Sequence, residues 1–304
     1  MLVNMKTLLT IANQNNFAIP AFNTPTGVML RGIIEASEAA QAPVIIEVHP
    51  AELSFARSSF ITQIVEEAHK ASVPICIHLD HGSSMDQVVR AIQCGYTSVM
   101  IDASSKSFDE NVAICKEVCK IAHAVNVSVE AEIGTIGVTN QDQVSTSSTE
   151  IRYTQPEEAV RFVEESGVDA LAIAIGTCHG IYPKGMIPKL QLELLKKIKA
   201  AIPIPLVLHG GSANHDEEIA EAARNGINKI NISSDIKDAF YQKCREVLQD
   251  PYIREPGDIY IPCIDAMKQV IFHKFDLLGT TGKASLYSAG MRNNREENIT
   301  GPVI

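Results

Sequence analysis

No stretch of this 304-residue chain approaches the roughly 20 consecutive apolar residues that a membrane-spanning helix needs, so no membrane partner is expected. The amino-terminal residues Met1 to Gln14 lack the charged region, apolar core and small-residue cleavage site of a secretory signal. A reducing, cytoplasmic location is therefore expected. Basic residues are in deficit, 26 Lys and Arg against 36 Asp and Glu, a formal charge of −10. That balance argues against a nucleic-acid partner, whose phosphates are held by clustered Lys and Arg. It leaves room for a small phosphorylated ligand, which needs only a local positive nest. The seven cysteines are odd in number and scattered, which favours buried reduced thiols over disulfides. Cys115 and Cys119 stand one helical turn apart but lack a second pair, so they are not read as a metal site. No internal repeat and no low-complexity tract stand out.

What is present is a regular alternation of short apolar runs and longer amphipathic segments, the sign of βα units around a parallel sheet. Eight strands are predicted: Phe17 to Phe22, Pro43 to Val48, Pro74 to Leu79, Ser98 to Asp102, Val127 to Glu132, Ala170 to Ala174, Pro205 to Leu208 and Lys229 to Ile232. They are rich in Val and Ile on both faces, as strands buried on both sides must be. Helical spacing marks Val28 to Ala40, Ser84 to Cys94, Phe108 to Ala124, Pro156 to Ser166 and Asp216 to Asn225. Ser107 with Asp109, Thr154 with Pro156, and Asn214 with Glu217 read as helix starts, and Gly95, Gly167 and Gly226 as stops. Eight units predict a single (β/α)8 barrel domain over residues 1–304, the barrel itself about residues 5–249, with an open doubly wound sheet as the alternative. Gly134 to Tyr153 reads as a mobile loop long enough to act as a lid. In the extension over residues 250–304, Asp265 to Phe275 reads as an extra helix and Gly279 to Ile304 as a poorly ordered tail.

In a barrel, functional groups gather at the carboxyl ends of the strands, and Asn23, Asp80, His81, Asp102, Glu132, His179, His209 and Asn231 fall at or just past such ends. Three imidazoles, His81, His179 and His209, suit a Zn²⁺ ion with a fourth position open to substrate. Asp80 is placed to move a proton at a substrate oxygen, or else to orient an imidazole. Glu132 is an occasional metal ligand, while His78 and Asp102 support the ligands. Carboxylates ending buried strands need a cation or hydrogen-bond donors nearby. His209-Gly210-Gly211-Ser212 turns sharply out of the seventh strand, and Asn231-Ile232-Ser233-Ser234-Asp235 ends the eighth and opens a helix. Together these two segments predict a phosphate site.

The chain resembles the class II, metal-dependent ketose-bisphosphate aldolases. The resemblance rests on Pro20-Ala21-Phe22-Asn23, His78-Leu79-Asp80-His81, Met100-Ile101-Asp102-Ala103-Ser104, Val129-Glu130-Ala131-Glu132-Ile133-Gly134, the run Ala172 to Gly180, Leu206 to Ser212, and Lys229-Ile230-Asn231-Ile232. It covers about residues 5–245. It implies Zn²⁺ on His81, His179 and His209 with Glu132 approaching, and Asp80 as proton donor and acceptor at the C4 hydroxyl of a ketose. It also implies a monovalent cation, Na⁺ or K⁺, near Gly180, Gly210 and Ser212. Asn231, Gly210, Gly211 and Ser212 would hold the substrate, with Lys237 for a far phosphate. A sugar phosphate substrate and a homodimer or homotetramer are expected on the same ground. Fructose-specific members carry an acidic residue where this chain has Ser233, which tilts the reading toward the tagatose-bisphosphate type. His49 stands where the family has a small hydroxyl residue, with Glu47 close by. The loop base is expected at Asp142, with Glu150 as a weaker candidate. A Zn²⁺-dependent hydrolase and a non-catalytic sugar-phosphate binder on the same barrel are the competing expectations.

Overall fold

A computed structural model describes residues 1–135, 137–138, 152–179 and 189–287. The strands in chain order are β1 (Ile19–Asn23), β2 (Val44–Val48), β3 (Ile75–Gly82), β4 (Ser98–Ile101), β5 (Ser128–Ile133), β6 (Gly137–Val138), β7 (Ala170–Ile173), β8 (Cys178–His179), β9 (Leu206–Leu208) and β10 (Ile227–Ile232). The helices are α1 (Met5–Gln14), α2 (Gly27–Ala39), α3 (Pro50–Ala56), α4 (Ser59–Lys70), α5 (Met85–Cys94), α6 (Phe108–His123), α7 (Pro156–Ser166), α8 (Leu192–Ala201), α9 (Asp216–Arg224), α10 (Ser234–Val247) and α11 (Pro256–Leu277). Eight strands close in the order β1-β10-β9-β7-β5-β4-β3-β2, every pairing parallel, while β6 and β8 pair separately. The protein is a (β/α)8 barrel.

The helices bury their apolar stripes on the outside of the barrel, in one core that runs from Phe22 and Met29 round to Ile271 and Phe275. A second core closes the amino-terminal end of the barrel. There Met5, Leu8, Leu9 and Ala12 of α1 pack beneath Ile19, Ile45, Cys76, Ala170, Ala172 and Val207. Tyr287 joins that plug, 1% exposed, its hydroxyl donating to Leu8 O at 2.9 Å. Gly279 to Tyr287 is thus packed chain and not the expected tail. An apolar ring with its hydroxyl satisfied gains more from burial than the segment's polar composition suggests. Residues 288–304 lie outside the described residues.

Several local expectations are corrected. Helix α11 is twice as long as the predicted Asp265 to Phe275, its start fixed by Pro256 in the first turn. Helix α9 is not capped by Asn214: His215 is the cap residue and makes no side-chain cap bond, while the Asn214 amide turns back to Gly210 O and Ser212 O. Thr154 does not cap α7 but bridges Ile133 O and Ala174 N, tying β5 to β7. Asn225, not Gly226, is the C-cap of α9. The capping box of Ser107 with Glu110 is present, and Gly95 and Gly167 take the left-handed conformation that ends a helix. Of the expected lid, the base is described: Thr135 N donates to Arg152 O at 2.9 Å. Residues 139–151, with Asp142 and Glu150, lie outside the described residues. Among the described cysteines all are unpaired.

Candidate active site

At the carboxyl end of the barrel, β3 does something a regular strand cannot. Successive strand residues point to opposite faces, yet Asp80 and His81 both line the same cavity. The pairing of β3 with β4 shifts register between Leu79 and Gly82, and His81 has φ +108°, outside the ordinary range for a side-chain-bearing residue. Gly82 permits the kink, since a Cβ there would lie 2.8 Å from Met100 O. The irregularity aims two adjacent functional groups at one point.

Each of them is held. Asp80 accepts from Asn23 Nδ2 on Oδ2 at 2.9 Å and from Asn231 Nδ2 on Oδ1 at 3.1 Å. Burial alone would raise its pKa, but the adjacent His81 and the nearby Lys229 outweigh burial and hold the carboxyl well below the usual carboxylate range. His81 directs Nδ1 to Asp102 Oδ2 at 3.0 Å, which leaves Nε2 facing Asp80 Oδ1 at 3.5 Å. Asp102 is itself fixed by the Ser104 backbone amide and hydroxyl. Burial opposes charge on His81, yet Asp80 and Asp102 raise its pKa above the ordinary value.

His209 follows β9 directly and is fully buried. Its Nδ1 lies 2.9 Å from Glu132 Oε2 and its Nε2 2.8 Å from Glu130 Oε1. Two carboxylates overcome the burial that disfavours its charge, and its pKa rises to about 10. The ligand-type atoms of His81, Glu132 and His209 all lie within 4.8 Å of one another. Two imidazoles and a carboxylate at that spacing suit a divalent cation that takes nitrogen and oxygen donors. His179 does not end a barrel strand: β7 stops at Ile173, and His179 lies in β8, its backbone paired with Val138. The placement of its side chain, and of Gly180, lies outside the described residues.

Beneath the cavity is a layer of charge that the strand periodicity hides. Glu47 of β2, His78 of β3, Glu130 of β5 and Lys229 of β10 are all 0% exposed. Lys229 Nζ lies 3.0 Å from Glu130 Oε2 and 3.4 Å from Glu47 Oε2. Glu130 is ionised: burial pulls its pKa up, but Lys229 and His78 outweigh that and hold it low. Glu47, where burial wins, has its pKa raised well above the usual carboxylate range, with Asp80 and Glu130 adding to the rise and Lys229 opposing it. His78 contacts Ser98 Oγ through Nδ1 at 2.8 Å and lies 3.5 Å from Glu130 through Nε2, burial lowering its pKa to about 3. Sequence reasoning passed over Glu130 and Lys229 as site residues. The signal was there in the i, i+2 pairs Glu130/Glu132 and Lys229/Asn231, which share one strand face.

The expected phosphate nest is built differently from the reading of its glycines. Gly211 N–H is spent on Asn231 O at 3.0 Å, and a Cβ at Gly211 would lie 2.3 Å from Ile230 Cγ2. Gly211 therefore serves close packing of the loop on β10. Ser212 Oγ accepts from the backbone amides of Ser233 and Ser234 at 3.2 Å each and of Asp235 at 3.5 Å, standing in for the side-chain cap that Ser233 does not make. Those amides converge at the positive end of α10, where Ser233 and Ser234 line the cavity.

The cavity, about 770 Å³, is lined by Asn23, His49, Glu52, Asp80, His81, Asp102, Ser233, Ser234 and Lys237 among others. Glu52 was not foreseen. It enters through α3, a helix capped by His49: His49 Nδ1 accepts from Ala51 N, and Glu52 Oε2 accepts from His49 N at 3.0 Å. Glu47, the other residue marked beside His49, points instead into the barrel.

The family description "Fructose-bisphosphate aldolase class-II" matches residues 3–283 of the chain. The fructose-bisphosphate aldolase of Geobacillus stearothermophilus is 39% identical over 290 residues, covering 93% of this chain and 99% of that one. The fructose-bisphosphate aldolase of Thermus caldophilus is 36% identical over 307 residues, 93% of this chain and all of that one. Among solved structures, the YdjI aldolase of Escherichia coli K12 superposes with a TM-score of 0.83 at 34% identity, over 93% of this chain and 100% of that chain.

Proposed function

Because the chain belongs to the class II fructose-bisphosphate aldolase family, carbon–carbon lyases of carbohydrate metabolism, we propose that it cleaves a ketose phosphate reversibly into dihydroxyacetone phosphate and an aldehyde with Asp80 as the proton-transferring group. The observation that carries this reading is Asp80 itself, ionised and held between Asn23 and Asn231 beside His81. Zn²⁺ on His81, His209, His179 and Glu132 would supply Lewis-acid polarisation of the ketone when bound. The rest is done by the chain. Asp80 accepts the proton of the C4 hydroxyl as the C3–C4 bond breaks. The C4–O bond becomes the aldehyde carbonyl, and the bonding electron pair stays on the triose fragment. In the reverse direction Asp80 returns the proton to the new hydroxyl. Asn23 and Asn231 fix the carboxylate so that its free lone pairs face the cavity.

The positive end of α10, with Gly210, Gly211, Ser212, Ser233 and Ser234, would take the triose phosphate. A monovalent cation near Gly180, Gly210 and Ser212 belongs to the same reading. The loop base remains assigned to Asp142. The curated relatives above bear the name fructose-bisphosphate aldolase. Ser233, uncharged where a fructose-specific member has an acidic residue, supports a different ketose, and the tagatose type is the reading the chain's own residues favour. A homodimer or homotetramer is supported by the exposed Tyr241, Tyr252, Tyr260 and Ile261 around α10 and α11. Among the described residues, no helix is long and apolar enough to cross a membrane.

The test is Asp80→Ala, assayed for dihydroxyacetone phosphate release from ketose mono- and bisphosphates. The variant is expected to retain bound metal and to lose cleavage by about 10²- to 10⁴-fold, the usual contribution of a positioned acid or base. Full activity would remove Asp80 from the mechanism. Release of inorganic phosphate without triose would revive a hydrolase.

A further inference from the structure

One wall of the cavity carries an ion pair, Lys237 with Glu52, to which the proposed proton transfer assigns no role. Lys237, one turn into α10, is the only ammonium or guanidinium among the described residues lining the cavity. It is committed: Nζ lies 2.5 Å from Glu52 Oε1 and 2.8 Å from Ser233 Oγ. Glu52 is fixed in turn. Its Oε2 accepts from His49 N at 3.0 Å and from Asn23 Nδ2 at 3.2 Å. The same Asn23 Nδ2 donates to Asp80 Oδ2. One amide therefore joins Asp80, the residue assigned to the C4 hydroxyl, to Glu52, and a ketose held by its C4 hydroxyl at Asp80 would bring the carbons beyond C4 within reach of Glu52.

We infer that Glu52, locked on Lys237, selects a ketose 1-phosphate whose distal end carries uncharged hydroxyls, and rejects a second phosphate there. The inference rests on the aldolase reading and deepens it. A distal phosphate would have two routes to Lys237, and both are costly. It could share the ammonium with Glu52, bringing two anions to one cation at close range. Or it could take the ammonium away, leaving the Glu52 carboxylate unpaired beside a dianion. Glu52 cannot swing clear, because the cap of α3 and the Asn23 amide hold its other oxygen. Asp80 and Asp102 add two more carboxylates to the lining. Like charges brought together across a site suppress the wrong partner. Hydroxyls meet no such penalty. A carboxylate fixed at the rim accepts hydrogen bonds from a polyol, and a site built to receive them discriminates strongly against analogues that lack them.

The experiment compares kcat/KM for the 1-phosphate and the 1,6-bisphosphate of the same ketohexose, across several ketoses, in the metal-loaded full chain. Wild type is expected to favour the monophosphate by about tenfold or more, and Glu52→Gln, which frees Lys237, to shift that ratio toward the bisphosphate by about tenfold or more. The double variant Glu52→Gln/Lys237→Met is expected to lose the shift, since the ammonium of Lys237 is then gone and no longer attracts the second phosphate. A wild-type preference for bisphosphates, or a ratio that Glu52→Gln leaves unmoved, overturns the inference. If Glu52→Gln fails to fold through loss of the α3 cap, the wild type decides by salt: repulsion between Glu52 and a second phosphate is screened, so the ratio should move toward the bisphosphate by about threefold or more as salt rises, and a ratio that salt leaves unmoved or moves the other way overturns the inference. Exchange of the C3 proton of dihydroxyacetone phosphate, which involves no aldehyde half, is measured alongside. Its absence in wild type would count against the aldolase reading itself, whereas its presence with the wrong phosphate preference counts against Glu52 alone.

Discussion

His209 Nε2 and Glu130 Oε1 lie 2.8 Å apart, both groups wholly buried. With Nε2–H donated to that carboxylate, Nδ1 is the nitrogen left to face Glu132 and the metal-type cluster, and it would offer a lone pair to a metal once its own proton is released. A carboxylate behind a ligating imidazole fixes its tautomer and raises its basicity. Glu130→Gln keeps the shape and removes the charge. It is expected to weaken Zn²⁺ binding by about 10- to 100-fold, read by competition with a chromophoric chelator and independent of turnover.

The same pair makes metal uptake a proton-releasing event. Without metal His209 is held protonated to about pH 10 by its two carboxylates. A ligating imidazole must be neutral. Calorimetric titration of the apo protein with Zn²⁺ at pH 7.5, in buffers of different ionisation enthalpy, should therefore return about one proton released from this residue. A buffer-independent heat would show that His209 is already neutral.

Lys229→Met tests the buried layer. The substitution leaves Glu130 ionised beside His209 with its main cation gone, and removing one partner of a buried pair costs about 3–5 kcal/mol. Chemical denaturation is expected to show a loss of that order. The additional change Glu130→Gln should recover part of it, because the orphaned charge is then absent.

Acid should weaken the fold through His78, opposed in part by Glu47, whose raised value lets the fold take up a proton above the ordinary carboxylate range. His78 has an ordinary value of 6.5 and about 3 in the fold, so the unfolded chain binds the extra proton in the window between them. The His78 contribution is then full above pH 6.5 and falls as pH drops toward 3, by about 1.4 kcal/mol per pH unit once the difference is one proton, whereas the contributions of His209 and His81, with raised values, are lost only as pH rises above 6.5. His49, also lowered by burial, contributes in the same sense. Glu130 and Asp102, with depressed values, add their loss only below the ordinary carboxylate range. His78→Gln should flatten the slope between pH 6.5 and 4.5 in denaturation curves measured at fixed ionic strength.

Gly211→Ala addresses the loop after β9. A Cβ there would overlap Ile230 Cγ2 at 2.3 Å and Asn231 O at 2.7 Å, both on β10. Overpacking of this kind costs about 1–3 kcal/mol. Because Asn231 also holds Asp80, turnover is expected to fall together with the melting temperature, not independently of it.

Much of this site could be read from the chain. His81, Asp80, Asp102 and Glu132 were legible because functional groups in a barrel gather where apolar strands end. What escaped reading lay in two places. Glu130 and Lys229 sit inside strands, where a charge is tolerated only when residues far apart in sequence supply its partner, and the meeting of side chains from β5 and β10 inside the barrel is a fact of closure. Glu52 lies on α3, a short helix whose start depends on His49 acting as a cap, a role more often taken by Ser, Thr, Asp or Asn. His179 differs: the sixth strand reads from the sequence as Ala170 to Ala174 with the histidine just past it, and β7 does end at Ile173, but His179 lies in the separate short strand β8.

With the plug of α1 and Tyr287 closing the barrel from below, two kinds of electrostatics share one small volume. The Lys237–Glu52 pair borders the open cavity, where dissolved ions reach it and added salt weakens it. The Lys229–Glu130 pair lies below, sealed from solvent by apolar side chains, and mobile ions cannot reach it. Ionic strength thus acts as a dial on which ligands are admitted while the field around His209 stays constant. Selection and chemistry in this barrel answer to different variables.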